Sequence, residues 1–350
     1  ILKEFLNNNN SPRKISPSLE AQVIRSLYFA PGKPIRMDLS PRDFPKLLRN
    51  KRGLLWVDFT SEPPETCLPI LQSFGFHPLA IDDALQETHA PKLDDWGTYL
   101  YIALNYMAVT ENGGNWESEI DELDIFLGQN YIVSHHDHPL PALEETWASC
   151  NRDPRVLHDG ADHLLYKIVD RLVEGYMPTV EKIDDAINQI EDQVFDRPSP
   201  RTLERLFALK RVLLAMRRIL LPQREVMNKL ARDDYRVIDP KDRIFFRDIY
   251  DHLVRLHDLN ESLRDLVGGA LDTYLSVINN RMNDIMKTLT IITTLFMPIT
   301  FITGFFGMNF FEPAANLLGW TTRQIFSITV SIMLLFPIGM YLWMRRRTWI

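Results

Sequence analysis

The densest run of metal-ligating side chains is His135-His136-Asp137-His138. Imidazole nitrogens and a carboxylate suit zinc. Successive side chains on a strand point to opposite faces, however, so adjacent histidines cannot converge on one ion. Lying between Tyr131-Ser134 and the prolines 139 and 141, the run reads as a polar turn. Carboxylates offer a second chemistry. Asp82-Asp83 and Asp248 read on their own as solvated acids, although carboxylates that face one another repel until a cation or a proton bridges them. Glu181, Asp184, Asp185, Glu191 and Asp192 give an acidic helix whose charges read as a solvated face.

The third pattern is a weakly polar stripe. Met286, Leu289, Thr293, Met297, Thr300, Gly304 and Gly307 recur every three or four residues, which is one face of a helix. Asn283 roughly continues it. Ile292, Leu295, Phe296, Ile299, Ile302 and Phe306 lie off it. Asn309 joins the stripe only if the helix ends or unwinds near Gly307. The stripe holds no carboxylate, so it cannot easily strip water from a strongly hydrated divalent ion. Amide oxygens of Asn309 and backbone carbonyls near Gly307 would instead accept hydrogen bonds from the ion's water shell. Pro298 removes the N–H that would bond the Thr294 carbonyl. Met286, Leu289 and Met297 suit closure by dewetting. Small-residue stripes also pack membrane helices against each other, which is the structural alternative.

The stripe falls in the first of two uncharged runs, 288–311 and 324–344, and begins just before it. Each run is long enough to cross a hydrocarbon core, which takes about 20 apolar residues as helix. The chain therefore divides into a flexible arm (1–20), a cytoplasmic α/β domain (21–158), a helical hairpin (159–239) and a stalk helix that becomes the first membrane helix (240–311, membrane part about 288–311). A loop (312–323), a second membrane helix (324–344) and a basic tail (345–350) complete it. In the α/β domain, strands are expected at 54–58, 99–109, 123–127 and 131–134, mainly antiparallel, with short helices at 43–48, 66–74 and 78–85. Pro31-Gly32, Asn112-Gly113-Gly114 and Gly128-Gln129-Asn130 are turn signals. Helix is expected over 162–195, stopped by Pro198, and over 200–232, with Pro222 as a kink. After Asp239-Pro240 a third helix meets no strong breaker. Gly268-Gly269 softens it by about 1 kcal/mol per glycine. Apolar residues at Leu253, Leu256, Leu259, Leu263, Leu266, Ala270, Tyr274, Val277, Met282 and Ile285 keep a 3–4 spacing. Continued through Phe311, this helix would be on the order of 100 Å long at 1.5 Å per residue.

Composition narrows the classes further. The net charge of the 350 residues is −7, unlike the basic surface of a nucleic-acid binder. Cys67 and Cys150 have neither metal-ligand spacing nor a disulfide framework. No glycine-rich phosphate loop or nucleophile–base set appears, so neither an enzyme nor an organic cofactor is expected. There is no signal peptide, and with Ile1 first the sequence reads as truncated. Arg281 and Lys287 precede the first span and Arg345, Arg346 and Arg347 follow the second, which puts both termini in the cytoplasm. A single two-helix hairpin cannot enclose water, so conduction requires several copies.

Gly307-Met308-Asn309 ends the first span, the second span follows at once, and a basic terminus closes the chain. With residues 246–252 and 286–309, this pattern resembles the CorA family of magnesium and divalent-cation transporters, whose signature is Tyr-Gly-Met-Asn. Phe306 stands where the family usually has tyrosine, so that hydroxyl is absent. The resemblance implies a homopentamer in the cytoplasmic (inner) membrane that passes hydrated Mg²⁺, and also Co²⁺ or Ni²⁺, and closes when cytosolic Mg²⁺ is high. It implies a selectivity filter at Gly307, Met308 and Asn309. Pore positions match Thr300, Met297, Met286 and Asn283, a constriction matches Leu289 and Met286, and an acidic ring matches Asp272. Regulatory metal between subunits matches Asp83 and Asp248, with weaker positions at Asp82, Asp170 and His252. Two alternatives stand beside this reading. One is a zinc transporter of the ZntB kind, with or without proton coupling; the other is a membrane-anchored helical scaffold that conducts nothing.

Overall fold

The structure, a computed structural model, describes residues 23–86, 90–196, 198–307 and 323–347. The 1–20 arm, Met308, Asn309 and nearly all of the 312–323 loop lie outside the described residues. The chain forms two compact units, Ile1–Leu271 and Asp272–Ile350.

The first unit is built on a seven-stranded sheet. Its strands are β1 (Val23–Phe29), β2 (Arg36–Met37), β3 (Leu54–Thr60), β4 (Lys92–Asp95), β5 (Tyr99–Asn112), β6 (Asn115–Gly128) and β7 (Tyr131–His136). Their spatial order is β2-β1-β3-β7-β6-β5-β4. Among the described pairs only β3 with β7 is parallel; the rest are antiparallel, as expected. The β5–β6 hairpin turns through Gly113 and Gly114, both at positive φ, which a two-residue hairpin turn of this kind needs.

Helices cover both faces, so β3 is buried almost end to end instead of on alternate residues. On one face α1 (Phe44–Leu48), α2 (Pro64–Ser73) and α3 (Pro78–Leu85) pack over Leu55, Val57, Phe59, Tyr101 and Phe126. Against the other lie α4 (Pro141–Arg152), α5 (Ala161–Glu174) and α7 (Pro200–Arg232). Trp56 meets Trp147 of α4 edge-on at 4.7 Å.

The helix expected over 162–195 is two helices, α5 and α6 (Met177–Asp196). Pro178 is the reason. It has no N–H for the Glu174 carbonyl, and it sits in the first turn of α6, where that loss costs nothing. Tyr176, in the break, is fully buried and donates its hydroxyl to the Asn105 carbonyl at 2.6 Å. By contrast, α7 runs unbroken through Pro222, with Ser199 capping its start.

α8 spans Arg243–Gly307, 65 residues or about 98 Å at 1.5 Å per residue. Its buried seam is Ile249, Leu253, Leu256, Asn260, Leu263, Val267, Ala270 and Tyr274. That spacing alternates four and three, the pattern of helices packed side by side. The expected apolar series mixes this seam with a second stripe, because Leu259, Leu266, Met282 and Ile285 are exposed. In the second unit the end of α8 is joined in sequence by α9 (Arg323–Arg346), whose last turn holds Arg345 and Arg346. Both helices carry windows long and apolar enough to cross a membrane, and neither window is buried.

Candidate cation path and regulatory carboxylates

The stripe residues Asn283, Met286, Leu289, Thr293, Met297, Thr300, Gly304 and Gly307 all lie on α8 and are all exposed. The helix is continuous across them, so their spacing puts them along one face. Thr293 donates its hydroxyl to the Leu289 carbonyl at 2.9 Å, and Thr300 does the same to Phe296 at 3.0 Å. Their hydrogens are spent inside the helix, so both oxygens can only accept. A row of acceptors fits a positively charged ion wearing its water. Pro298 is accommodated inside α8. Asp272 is exposed on the same helix. Gly307 is the last residue described before Arg323; Met308 and Asn309 fall beyond it.

The acidic residues are spread over three elements. Asp82 and Asp83 sit near the end of α3. Asp82 accepts from the Gln86 amide at 2.6 Å. Asp83 is engaged differently: the Lys92 ammonium lies 2.5 Å from its Oδ2. Lys92 opens β4, an edge strand, and stands 3.8 Å from Asp94 and 5.3 Å over the Tyr101 ring. Nothing in the sequence singles out Lys92. Its role follows from the register of β4 on β5, which places Asp94 opposite Tyr101.

Asp170 of α5 and Asp248 of α8 flank Tyr166. Burial, then the charges of Asp170 and Asp248, push the Tyr166 hydroxyl above its ordinary range. The Tyr166 ring stacks on Phe245 of α8 at 4.8 Å, which fixes α5 beside the start of α8. Asp248 is exposed, and His252, one turn further on, is half-exposed. Within one chain these groups do not converge: among the described residues, no three His, Cys, Asp or Glu side chains are arranged to hold a metal ion. As donors, exposed carboxylates are the hard oxygens that Mg²⁺ and similar ions take.

His135 and His136 correct the turn reading. They are the last residues of β7, not a turn, and both are buried. The strand does send them to opposite faces. His136 meets Asp58 of β3 at 3.3 Å, and its Nδ1 is 2.6 Å from the His138 carbonyl. Asp58 also takes the Arg25 Nε at 2.8 Å and the Ser134 hydroxyl. Burial alone would raise the Asp58 carboxyl, but His136, Arg25 and Ser134 outweigh it and hold it below its ordinary range. Burial likewise opposes the charge on His136, and its bonds to Asp58 raise it nonetheless. On the other face the Tyr101 hydroxyl donates to Asp124 at 2.6 Å, with His135 at 3.7 Å from the same carboxylate. Burial pushes the Asp124 carboxyl up. The two histidines thus meet separate buried carboxylates on opposite faces instead of converging on one ion.

Comparison with known proteins bears on most of the chain. The family described as CorA-like Mg2+ transporter protein matches residues 51–346. The cobalt/magnesium transport protein CorA of Thermotoga maritima is 33% identical over 84% of this chain and 83% of its own length. The zinc transport protein ZntB of Yersinia pseudotuberculosis is 24% identical over 84% of this chain and 88% of its own. In fold, the complete structure of the CorA magnesium transporter from Methanocaldococcus jannaschii superposes with a TM-score of 0.78, at 22% identity, over 94% of this chain and 99% of that one.

Proposed function

This chain belongs to the CorA-like Mg²⁺ transporter family and is a divalent-cation transporter of the membrane; from that premise we propose that it is a Mg²⁺ channel, closed by cytosolic Mg²⁺ and also passing Co²⁺ or Ni²⁺. The observation that carries this reading is the α8 face, a row of acceptors and apolar side chains without a carboxylate, running to Gly307. Such a face hydrogen-bonds the ion's hydration shell rather than replacing it. Gly307, Met308 and Asn309 form the filter, Met286, Leu289 and Met297 the apolar constriction, and Asp272 an acidic ring at the inner mouth. Several copies, five by family resemblance, surround the path. Both termini face the cytoplasm of an inner membrane, with Arg345, Arg346 and Arg347 on that side. The membrane potential drives entry with about 2.3 kcal/mol per charge per 100 mV, twice that for a divalent ion.

Regulation is assigned to the carboxylates of the first unit. Asp83 of one copy and Asp248 of the next would hold Mg²⁺ between subunits, with Asp82, Asp170 and His252 as weaker positions. The donor set fits, since all but His252 offer hard oxygen. A bound divalent ion supplies the charge that lets facing carboxylates stay together.

The test is flux into proteoliposomes containing an ion-sensitive dye, with Mg²⁺ or Zn²⁺ outside and with or without a proton gradient. Potential-driven Mg²⁺ entry that stops as internal Mg²⁺ rises is expected, and Asn309→Ala should lose selective flux while the oligomer stays assembled. The likeness to ZntB gives the competing outcome: Zn²⁺ entry that needs the proton gradient would replace this reading. No flux of either ion would make the chain a scaffold.

A further inference from the structure

We propose that Lys92 is a built-in counter-cation that competes with divalent metal for Asp83, and so sets the Mg²⁺ concentration at which the regulatory site fills. The proposal rests on the reading of Asp83 as a metal ligand. Its own evidence is the contact at 2.5 Å between the Lys92 ammonium and Asp83 Oδ2. A divalent ion approaching that carboxylate meets a positive charge already seated on one oxygen. Two cations on one carboxylate repel, so the ammonium must move for the metal to bind.

The surroundings give it a second position. Asp94 lies 3.8 Å from the same ammonium, on the same face of β4 because it is two residues along the strand. The Tyr101 ring forms the floor, 5.3 Å beneath the ammonium, and it is held rigidly: the residue is fully buried and its hydroxyl is committed to Asp124. A cation over an aromatic face is favoured wherever it stands above the ring. Lys92 can therefore swing from Asp83 to Asp94 without leaving that face. Both Lys92 and Asp83 are about one-third exposed, 30% and 35%, so the exchange takes place at the solvent boundary, where metal can enter. Lys92 stands in for the divalent ion when metal is scarce and keeps Asp83 from being an uncompensated charge.

The test is a Mg²⁺ titration of the full-length oligomer in detergent, read by protection of the chain from protease. Lys92→Gln and Lys92→Met remove the competitor; the methionine keeps an apolar stem over Tyr101. Both should reach half-protection at about two- to fivefold lower Mg²⁺, the range for a partly exposed ion pair. Lys33→Gln, which removes an exposed positive charge elsewhere in the unit, should leave the midpoint unchanged. Asp83→Asn should raise it. A raised midpoint for Asp83→Asn with no change for either Lys92 variant would overturn the competition and leave the site standing. A midpoint that moves equally with Lys33→Gln would reduce the effect to overall charge and also overturn it. No response to Asp83→Asn would remove Asp83 from the site, and Lys92 with it.

Discussion

His136 and Asp58 share a site with almost no exposed surface, 1% and 0% respectively. Each favours the charged form of the other, with Arg25 as a third charge beside them. The pH dependence follows from the two shifts. His136 is raised above its ordinary 6.5, so its contribution is complete below about pH 6.5 and is lost as the pH climbs through the raised value. Asp58 is lowered from 3.8, so its contribution is complete above about pH 4 and is lost only in stronger acid. Between these limits the pair is at full strength. The stability advantage of the natural chain over His136→Gln should thus be largest near pH 5 to 6 and shrink toward pH 8.5. Thermal unfolding of the full chain across that range checks it; an advantage that grows with pH would mean that His136 is held neutral. Residue types alone could not reveal this pairing. The strand alternation was legible, and it ruled out convergence of the two histidines. What the sequence lacked was the parallel register of β3 on β7, a contact across some 76 residues, which places Asp58 beside Ser134.

At the scale of elements, local signals located the helices and strands, and the errors came from signals that compete. Pro178 is such a case: apolar periodicity runs through it, yet its missing N–H, with Gly175 at the end of α5, divides α5 from α6. The break is then locked from outside. Tyr176 donates to the Asn105 carbonyl, accepts from the Gln223 amide at 3.2 Å, and Gln223 returns to the Asn105 N–H at 3.2 Å. All three residues are buried, so β5, α7 and the α5–α6 junction meet in one closed network. Tyr176→Phe keeps the ring and leaves two buried partners unpaired, which should cost about 1–3 kcal/mol. The expected result is a lower unfolding temperature with the helical content intact. An unchanged temperature would show that water replaces the hydroxyl without loss. In α8 the competing signals were two apolar stripes, one buried and one exposed, which share a 3–4 spacing and are separable only by knowing what packs against them. Leu259 and Leu266 belong to the exposed one.

For the whole molecule, the sheet-and-helix unit, the continuous α8 and the second apolar helix after it were readable in their order from charge-free runs and breakers, because each is a local property of the chain. The proposed regulatory pair was not, since its two carboxylates lie on separate elements. Asp83 is on α3 and Asp248 on α8, and within one chain they form no metal-holding group with other acids or histidines among the described residues. If the two carboxylates act together across a subunit junction, as proposed, mixing variants exposes this. An oligomer made only of Asp83→Ala copies has no intact junction, nor has one made only of Asp248→Ala copies. A mixed oligomer does: wherever an Asp248→Ala copy offers its Asp83 to the Asp248 of an Asp83→Ala neighbour, one complete pair is restored. Co-expressed copies carrying different affinity tags, purified through both, should therefore recover part of the protection by Mg²⁺ that each homogeneous variant loses. Protection that stays lost in the mixture would place the pair inside one chain or separate the two residues altogether. Recovery in the mixture would tie closure to contacts between subunits, since no single copy in it carries both carboxylates.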